Sequence, residues 1–218
     1  MSVAATTTHL VQLSVTATVA AAVGVLAGGV LVPRGMAALD LGSSGRLLRV
    51  ARVLGGVAGI AGVIAADRAA SWWLLPALLV WALALTVAAI CDAATQRIPT
   101  PLVRQAAVAV ATLVVIAAAG TGYWRWVLLG ATCAAAAGAI LVVCWRFAGA
   151  GFGDVRLAVL GGLGLVHPTP LGLLIALVAF ILITVTQAII TLARGGNRGT
   201  TFPYGPAIAT AFLLAAVT

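Results

Sequence analysis

The chain has 218 residues, 63% of them hydrophobic and 7% charged, with a mean hydropathy of +1.22. A soluble domain could not solvate such a surface, so the composition places the chain among integral membrane proteins. The net charge of +8 comes from twelve Arg against Asp40, Asp67, Asp92 and Asp154, with no Lys and no Glu; because the Arg lie in short links between apolar runs, they anchor membrane helices rather than bind nucleic acid.

In chain order, apolar runs fall at about 10–32, 50–66, 71–91, 102–119, 126–147, 155–166, 170–192 and 203–218. About 20 residues cross a bilayer, and shorter runs need burial or thinning. The pattern predicts an all-α polytopic membrane helix bundle of about eight hydrophobic segments, two of them (50–66 and 155–166) short and partial or shielded by neighbours, forming one domain over 1–218. The first run lacks a basic n-region and a small-x-small cleavage site, which predicts a retained helix. Gly24 and Gly28, and Gly55 and Gly59, are spaced for close helix contact. The link 33–49 carries Asp40 in a turn-forming stretch, and Asp67, beside Arg68, is expected to pair with it or to be solvated.

Ten of the twelve Arg, including Arg97, Arg104, Arg156, Arg194 and Arg198, fall in or beside the odd-numbered connections, and only Arg68 and Arg125 fall on the other side. By the positive-inside bias the odd connections face the cytoplasm and both termini lie outside. Trp72, Trp73, Trp124 and Trp126 sit near segment ends, as an interfacial belt does. Cys91, Cys133 and Cys144 form no CxxC pair and have no clustered His, so the sequence predicts neither a metal nor a cofactor, and small buried residues instead.

Chemistry then rests with the carboxylates. Asp92 directly follows a long apolar run and precedes Ile98-Pro99, and the prolines mark a short structured turn between two spans. Asp154 closes Gly149-Ala150-Gly151-Phe152-Gly153-Asp154 at the mouth of the sixth segment. An acid that close to hydrocarbon costs roughly 2.5–3.5 kcal/mol at a helix centre on insertion scales; alone it reads equally as a solvated cap of the next helix, and the second acid in a comparable setting, Asp92, favours the functional role. The glycines allow another chain to approach closely. On the inferred topology both acids share the cytoplasmic face. Two carboxyls brought close share one proton: one acts as a base toward water, and the other protonates a substrate carbonyl, as amide hydrolysis requires. An ion-transport role would place its acids nearer the midplane, among more polar side chains than these runs contain.

Three patches then carry a resemblance: Asp92 with Ile98-Pro99; Gly151-Phe152-Gly153-Asp154-Val155-Arg156-Leu157; and Arg198-Gly199-Thr200-Thr201-Phe202-Pro203-Tyr204-Gly205-Pro206. Over roughly 50–218 the chain resembles the type IV prepilin peptidases, membrane aspartyl proteases named for a Gly-x-Gly-Asp motif. The resemblance implies that Asp92 and Asp154 are the catalytic pair and that Gly151, Gly153, Ile98, Pro99 and Arg156 belong to the motifs around them. It also implies that Pro203, Gly205 and Pro206 shape the last helix's start or line the substrate. The implied partner is a pilin-like precursor with a basic leader and a hydrophobic helix, cut on the cytoplasmic side of the cell membrane. Thr100 and Arg156 depart from residues common in the family (Asn or Asp, and Lys), yet Thr keeps turn hydrogen bonds and Arg the charge. Larger members carry a Cys-rich insert after the first helix and methylate the new N-terminus; the link 33–49 holds no Cys, so methylation is not expected. The competing reading is a catalytically silent scaffold or small transporter that retains the fold.

Overall fold

The computed structural model describes residues 3–39, 41–42, 44–148, 150–195 and 202–218, so Asp40 and Arg198–Thr201 lie outside the described residues. Among those described, all regular structure is helical. The order is α1 Val3–Ala37, α2 Gly45–Arg68, a single 3-10 turn Trp72–Leu74, α3 Leu75–Thr95, α4 Thr100–Thr121, α5 Arg125–Ala148, α6 Phe152–Leu163, α7 Pro170–Ala193 and α8 Gly205–Val217. Every apolar run of the sequence became one helix. Six helices are long and apolar enough to cross a membrane: α1, α2, α3 with its preceding turn, α4, α5 and α7. At 1.5 Å per residue, α6 and α8 rise only about 18–20 Å, short of a hydrocarbon core about 30 Å thick.

One expectation is corrected here. The run 50–66 is the interior of a full 24-residue helix that starts at Gly45. Ser44 caps it, its Oγ accepting the Leu47 N–H at 3.2 Å, and the first turns carry Arg46, Arg49 and Arg52. The sequence expectation stopped at those charges, but an α-helix tolerates long cationic side chains at its membrane boundary because their stems lie along apolar surface while the heads reach water.

The glycine spacings form the seam between α1 and α2. A Cβ on Gly24 would stand 2.0 Å from the carbonyl oxygen of Gly55, and one on Gly59 would stand 2.1 Å from that of Ala20. At these crossings only glycine lets two backbones meet. At the far end of the same pair, Asp67 contacts His9 at 3.1 Å, and Arg68 donates to the Thr218 carbonyl. The expected Asp67–Arg68 pair is therefore replaced, because consecutive residues on a helix point to different faces.

α3 is the central post, packed against α1, α2, α4, α6 and α8. Leu78, Trp81 and Leu85 are fully buried along it, as is Leu74 in the turn before it. The Trp81 indole Nε1–H donates to the carbonyls of Leu160 and Gly161 at 3.0 and 3.1 Å, near the end of α6. A short helix leaves its last carbonyls without intrahelical partners, and this indole supplies a donor inside the bundle. Trp72, Trp73 and Trp124 are exposed near helix ends, as a belt requires, but Trp126 is buried, its ring 5.0 Å from that of Tyr123. Cys91 is buried, whereas Cys133 and Cys144 are half-buried. α7 packs chiefly on α8 and exposes most of its apolar side chains.

Candidate active site

Asp92 sits in the last turn of α3. That helix ends where Gln96 takes a left-handed backbone (φ 54°), its N–H donating to the Asp92 carbonyl at 2.7 Å. The Thr95 hydroxyl bridges the turn, donating to the Cys91 carbonyl at 2.8 Å and accepting the Arg97 N–H at 3.2 Å. Pro99 is buried and opens α4, with Pro101 in the first turn, where a missing N–H costs nothing. The expected short structured turn between spans is thus present.

Asp154 is the third residue of α6. Its carboxylate turns back so that Oδ2 accepts the Gly151 N–H at 2.8 Å, while its own N–H donates to the Gly151 carbonyl at 3.0 Å. The reciprocal pair closes the first turn as a capping box does, with a carboxylate near the positive end of the helix dipole. The acid caps its helix and is also buried: Asp154 is 6% exposed and Asp92 4%. A solvated surface cap is excluded by those values.

Two contacts and a charge effect bring the patches together. Gly153 faces Ile98, and a Cβ there would lie 3.2 Å from the Ile98 Cβ, so the glycine lets α6 settle on the turn after α3. The Gly205 N–H donates to Asp92 Oδ2 at 2.7 Å. Tyr204, the residue before it, lies close enough to Asp154 for that carboxylate's charge to act on its phenol. Asp92 in turn lies within reach of the Asp154 charge. Two consecutive residues at the start of α8 therefore bear on the two acids, one each.

The short helix α6 is not of spanning length, and burial pushes the Asp154 carboxyl above the usual carboxylate range, with the Gly151 N–H pulling the other way. Burial raises the Tyr204 phenol as well, helped by the Asp154 and Cys144 charges, so it remains a neutral hydroxyl.

The remaining sequence-derived residues divide. Arg156 is exposed and stacks over the Phe152 ring at 5.0 Å; Asp154's hydrogen-bond partner is the Gly151 backbone. Pro203 is half-buried in the extended stretch before α8, and Pro206 lies in the first turn of that helix. Gly205 does more than shape the helix start, because it donates to the acid. Sequence reasoning named Gly205 but missed this donor, and it missed Tyr204; the only signal for either was membership in the third patch. Among the described residues no three of His, Cys, Asp or Glu gather in one place. The arrangement offers two buried carboxyls, two backbone N–H groups held on them and a phenol, a set suited to moving protons at a peptide bond.

A family model described as the Type IV leader peptidase family matches residues 77–188, just over half of the chain and inclusive of both acids. No curated protein and no solved structure matches the chain.

Proposed function

The chain belongs to the type IV leader peptidase family and is a multi-pass membrane protease of that kind, and from this premise we propose that Asp92 and Asp154 form an aspartyl endopeptidase centre that removes the leader of pilin-like precursors at the cytoplasmic face of the cell membrane. The observation that carries the reading is that two buried carboxyls, one from α3 and one from α6, bear on consecutive residues, Gly205 at the start of α8 and Tyr204 just before it.

One carboxylate takes a proton from a water held between the pair, and the water oxygen adds to the scissile carbonyl carbon. The other carboxyl gives its proton to the carbonyl oxygen, forming a neutral tetrahedral intermediate. Collapse of that intermediate re-forms the carbonyl, breaks the C–N bond and delivers a proton to the leaving amine, and the pair ends with one proton shared as before. The backbone N–H groups of Gly205 and Gly151 favour the ionised form of the oxygens they hold and fix their direction.

The ten-to-two distribution of Arg supports a cytoplasmic site with both termini outside. The brevity of the link from Ala37 to Gly45 supports cleavage without N-methylation, since a methyl donor needs a concave polar pocket that so short a connection does not supply. Co-expression with precursors bearing a basic leader and a hydrophobic helix tests the reading by a mobility shift. Mass spectrometry of the product should then show an unmodified new N-terminal amine; a gain of one methyl group with donor present and no other enzyme refutes that part. Reporters fused after Arg97 and near Gly122 should read cytoplasmic and external respectively.

A further inference from the structure

An apolar groove of about 630 Å³ runs between α2, α3 and α8. Its floor includes Ala58, Ala89 and Ala209, and Val50, Leu54 and Val57 of α2 rise along one wall with their side chains 40% or more exposed. These positions recur at helical spacing, so they form one continuous stripe rather than scattered surface residues. Thr86 and Thr210 are the hydroxyls among the lining residues.

Two features of the groove specify its occupant. The first is length: from Leu47 to Ile64 the α2 wall rises about 26 Å at 1.5 Å per residue, close to the roughly 30 Å hydrocarbon thickness. Along α3 and α8 the lining runs from Thr86 to Ala94 and from Pro206 to Val217, about 12 and 17 Å, so α2 supplies the full-length wall; a wall of that length outreaches a lipid chain, which occupies one leaflet, and matches a transmembrane helix. The second is where the groove ends. Its lining includes Ala93 and Ala94, the two residues after Asp92, and Pro206, the residue after the Gly205 whose N–H holds that acid. A helix lying in the groove therefore delivers the residues just before its first turn to the two carboxyls.

We infer that this groove is the docking site for the hydrophobic helix of the precursor, an apolar helix of about 20 residues that carries the scissile bond at its cytoplasmic end. The inference rests on the proposed function and adds where the substrate's membrane segment sits. Small side chains on the floor admit a helix closely, and the open side along α2 lets it enter sideways from the bilayer. Recognition is then shared: the groove holds the helix, and the acids select the extended peptide ahead of it.

Photoreactive phenylalanine analogues at Val57 and Leu213 test this in the full chain reconstituted in vesicles, with Asp154→Asn holding the precursor uncut. The same analogue at Leu128 of α5 and Leu182 of α7, both exposed apolar positions outside the groove lining, provides the comparison. Adducts to the precursor's apolar segment should form at the groove positions with at least about tenfold the yield of the comparison positions. Equal yields, or groove adducts to lipid or to a second copy of this chain alone, overturn the inference. Ala61→Phe, which narrows the groove midway, should lower kcat/KM for the helix-bearing precursor by about tenfold or more relative to that for a soluble peptide spanning the leader junction. An equal effect on both substrates also overturns it. Cleavage of the precursor by the unmodified enzyme together with silent groove positions refutes the groove alone; absence of any cleavage refutes the proposed function and the groove with it.

Discussion

The Gly205 N–H donates to Asp92 Oδ2 at 2.7 Å, joining the start of the last helix to the end of α3 across 113 positions of sequence. With Tyr204 within reach of the Asp154 charge, this contact makes the start of α8 the piece that bears on both acids. It is also the part of the candidate site that lies beyond the family match, which ends at residue 188.

Loss of either acid should abolish leader cleavage while membrane insertion persists. Asp92→Asn and Asp154→Asn each remove one half of a proton-transfer pair, worth roughly 10²–10⁴-fold per group, and the double variant should be no worse than either single one. Asp67→Asn, whose carboxylate meets His9 far from the site, and Asp40→Asn should cut normally. Full cleavage by either site variant in a gel-shift assay refutes the pairing.

Gly205→Ala should cost activity more than stability. Its new Cβ would stand 2.8 Å from both the Cβ and Oδ2 of Asp92, so α8 or the acid must move and the 2.7 Å hydrogen bond lengthens. A displaced catalytic group costs on the order of 10²-fold in rate. Gly151→Ala, whose Cβ would stand 3.3 Å from Asp154 Oδ2, asks for a smaller shift and should cost less. Initial cleavage rates and melting temperatures of both variants in detergent decide this; equal rates refute it.

The raised Asp154 carboxyl predicts a pH dependence of stability. Because the folded group keeps its proton to higher pH than the unfolded one, the unfolded chain ionises first. Stability is then greatest below the ordinary carboxylate range and declines as pH rises through that range to the raised folded value. Asp154→Asn has no proton to lose there, so its melting curve should lack that component and the variant should gain on the wild type as pH rises. Parallel melting-temperature profiles for the two proteins contradict the burial argument.

The seam between α1 and α2 predicts a different signature. Gly24→Ala and Gly59→Ala each push a methyl to about 2 Å from a carbonyl oxygen of the facing helix, and overpacking of this kind costs typically about 1–3 kcal/mol. Gly42→Ala, with nothing within 4 Å of the added carbon, should leave the melting temperature unchanged. Thermal melts in one detergent compare the three, and an effect at Gly42 as large as at Gly24 removes the steric explanation.

The helices were legible because hydrocarbon imposes one strong rule, that long apolar runs satisfy their own backbone as helices. The acids were legible because Asp92 and Asp154 are rare charges beside such runs. What escaped the sequence was made of backbone and orientation. The Gly205 N–H is a donor that every non-proline residue carries, so nothing in its letter marks it as the partner of Asp92. The stacking of the Arg156 guanidinium on Phe152 follows from the face of α6 that both share, which neither letter reveals. Asp67 was expected either to pair with its neighbour Arg68 or to be solvated, and tertiary packing gave it His9 instead.

The indole of Trp81, fastened to the carbonyls of Leu160 and Gly161, makes α3 and α6 two arms of one caliper. The arms are pinned at that rivet, and each carries its acid toward the tip: Asp92 eleven positions beyond Trp81, and Asp154 six positions before Leu160. A small rotation about the pin is magnified along the longer arm, so the gap between the carboxyls is gauged by a tryptophan that touches neither of them. Strain or slack introduced at that remote joint should therefore shift one acid relative to the other without changing either residue.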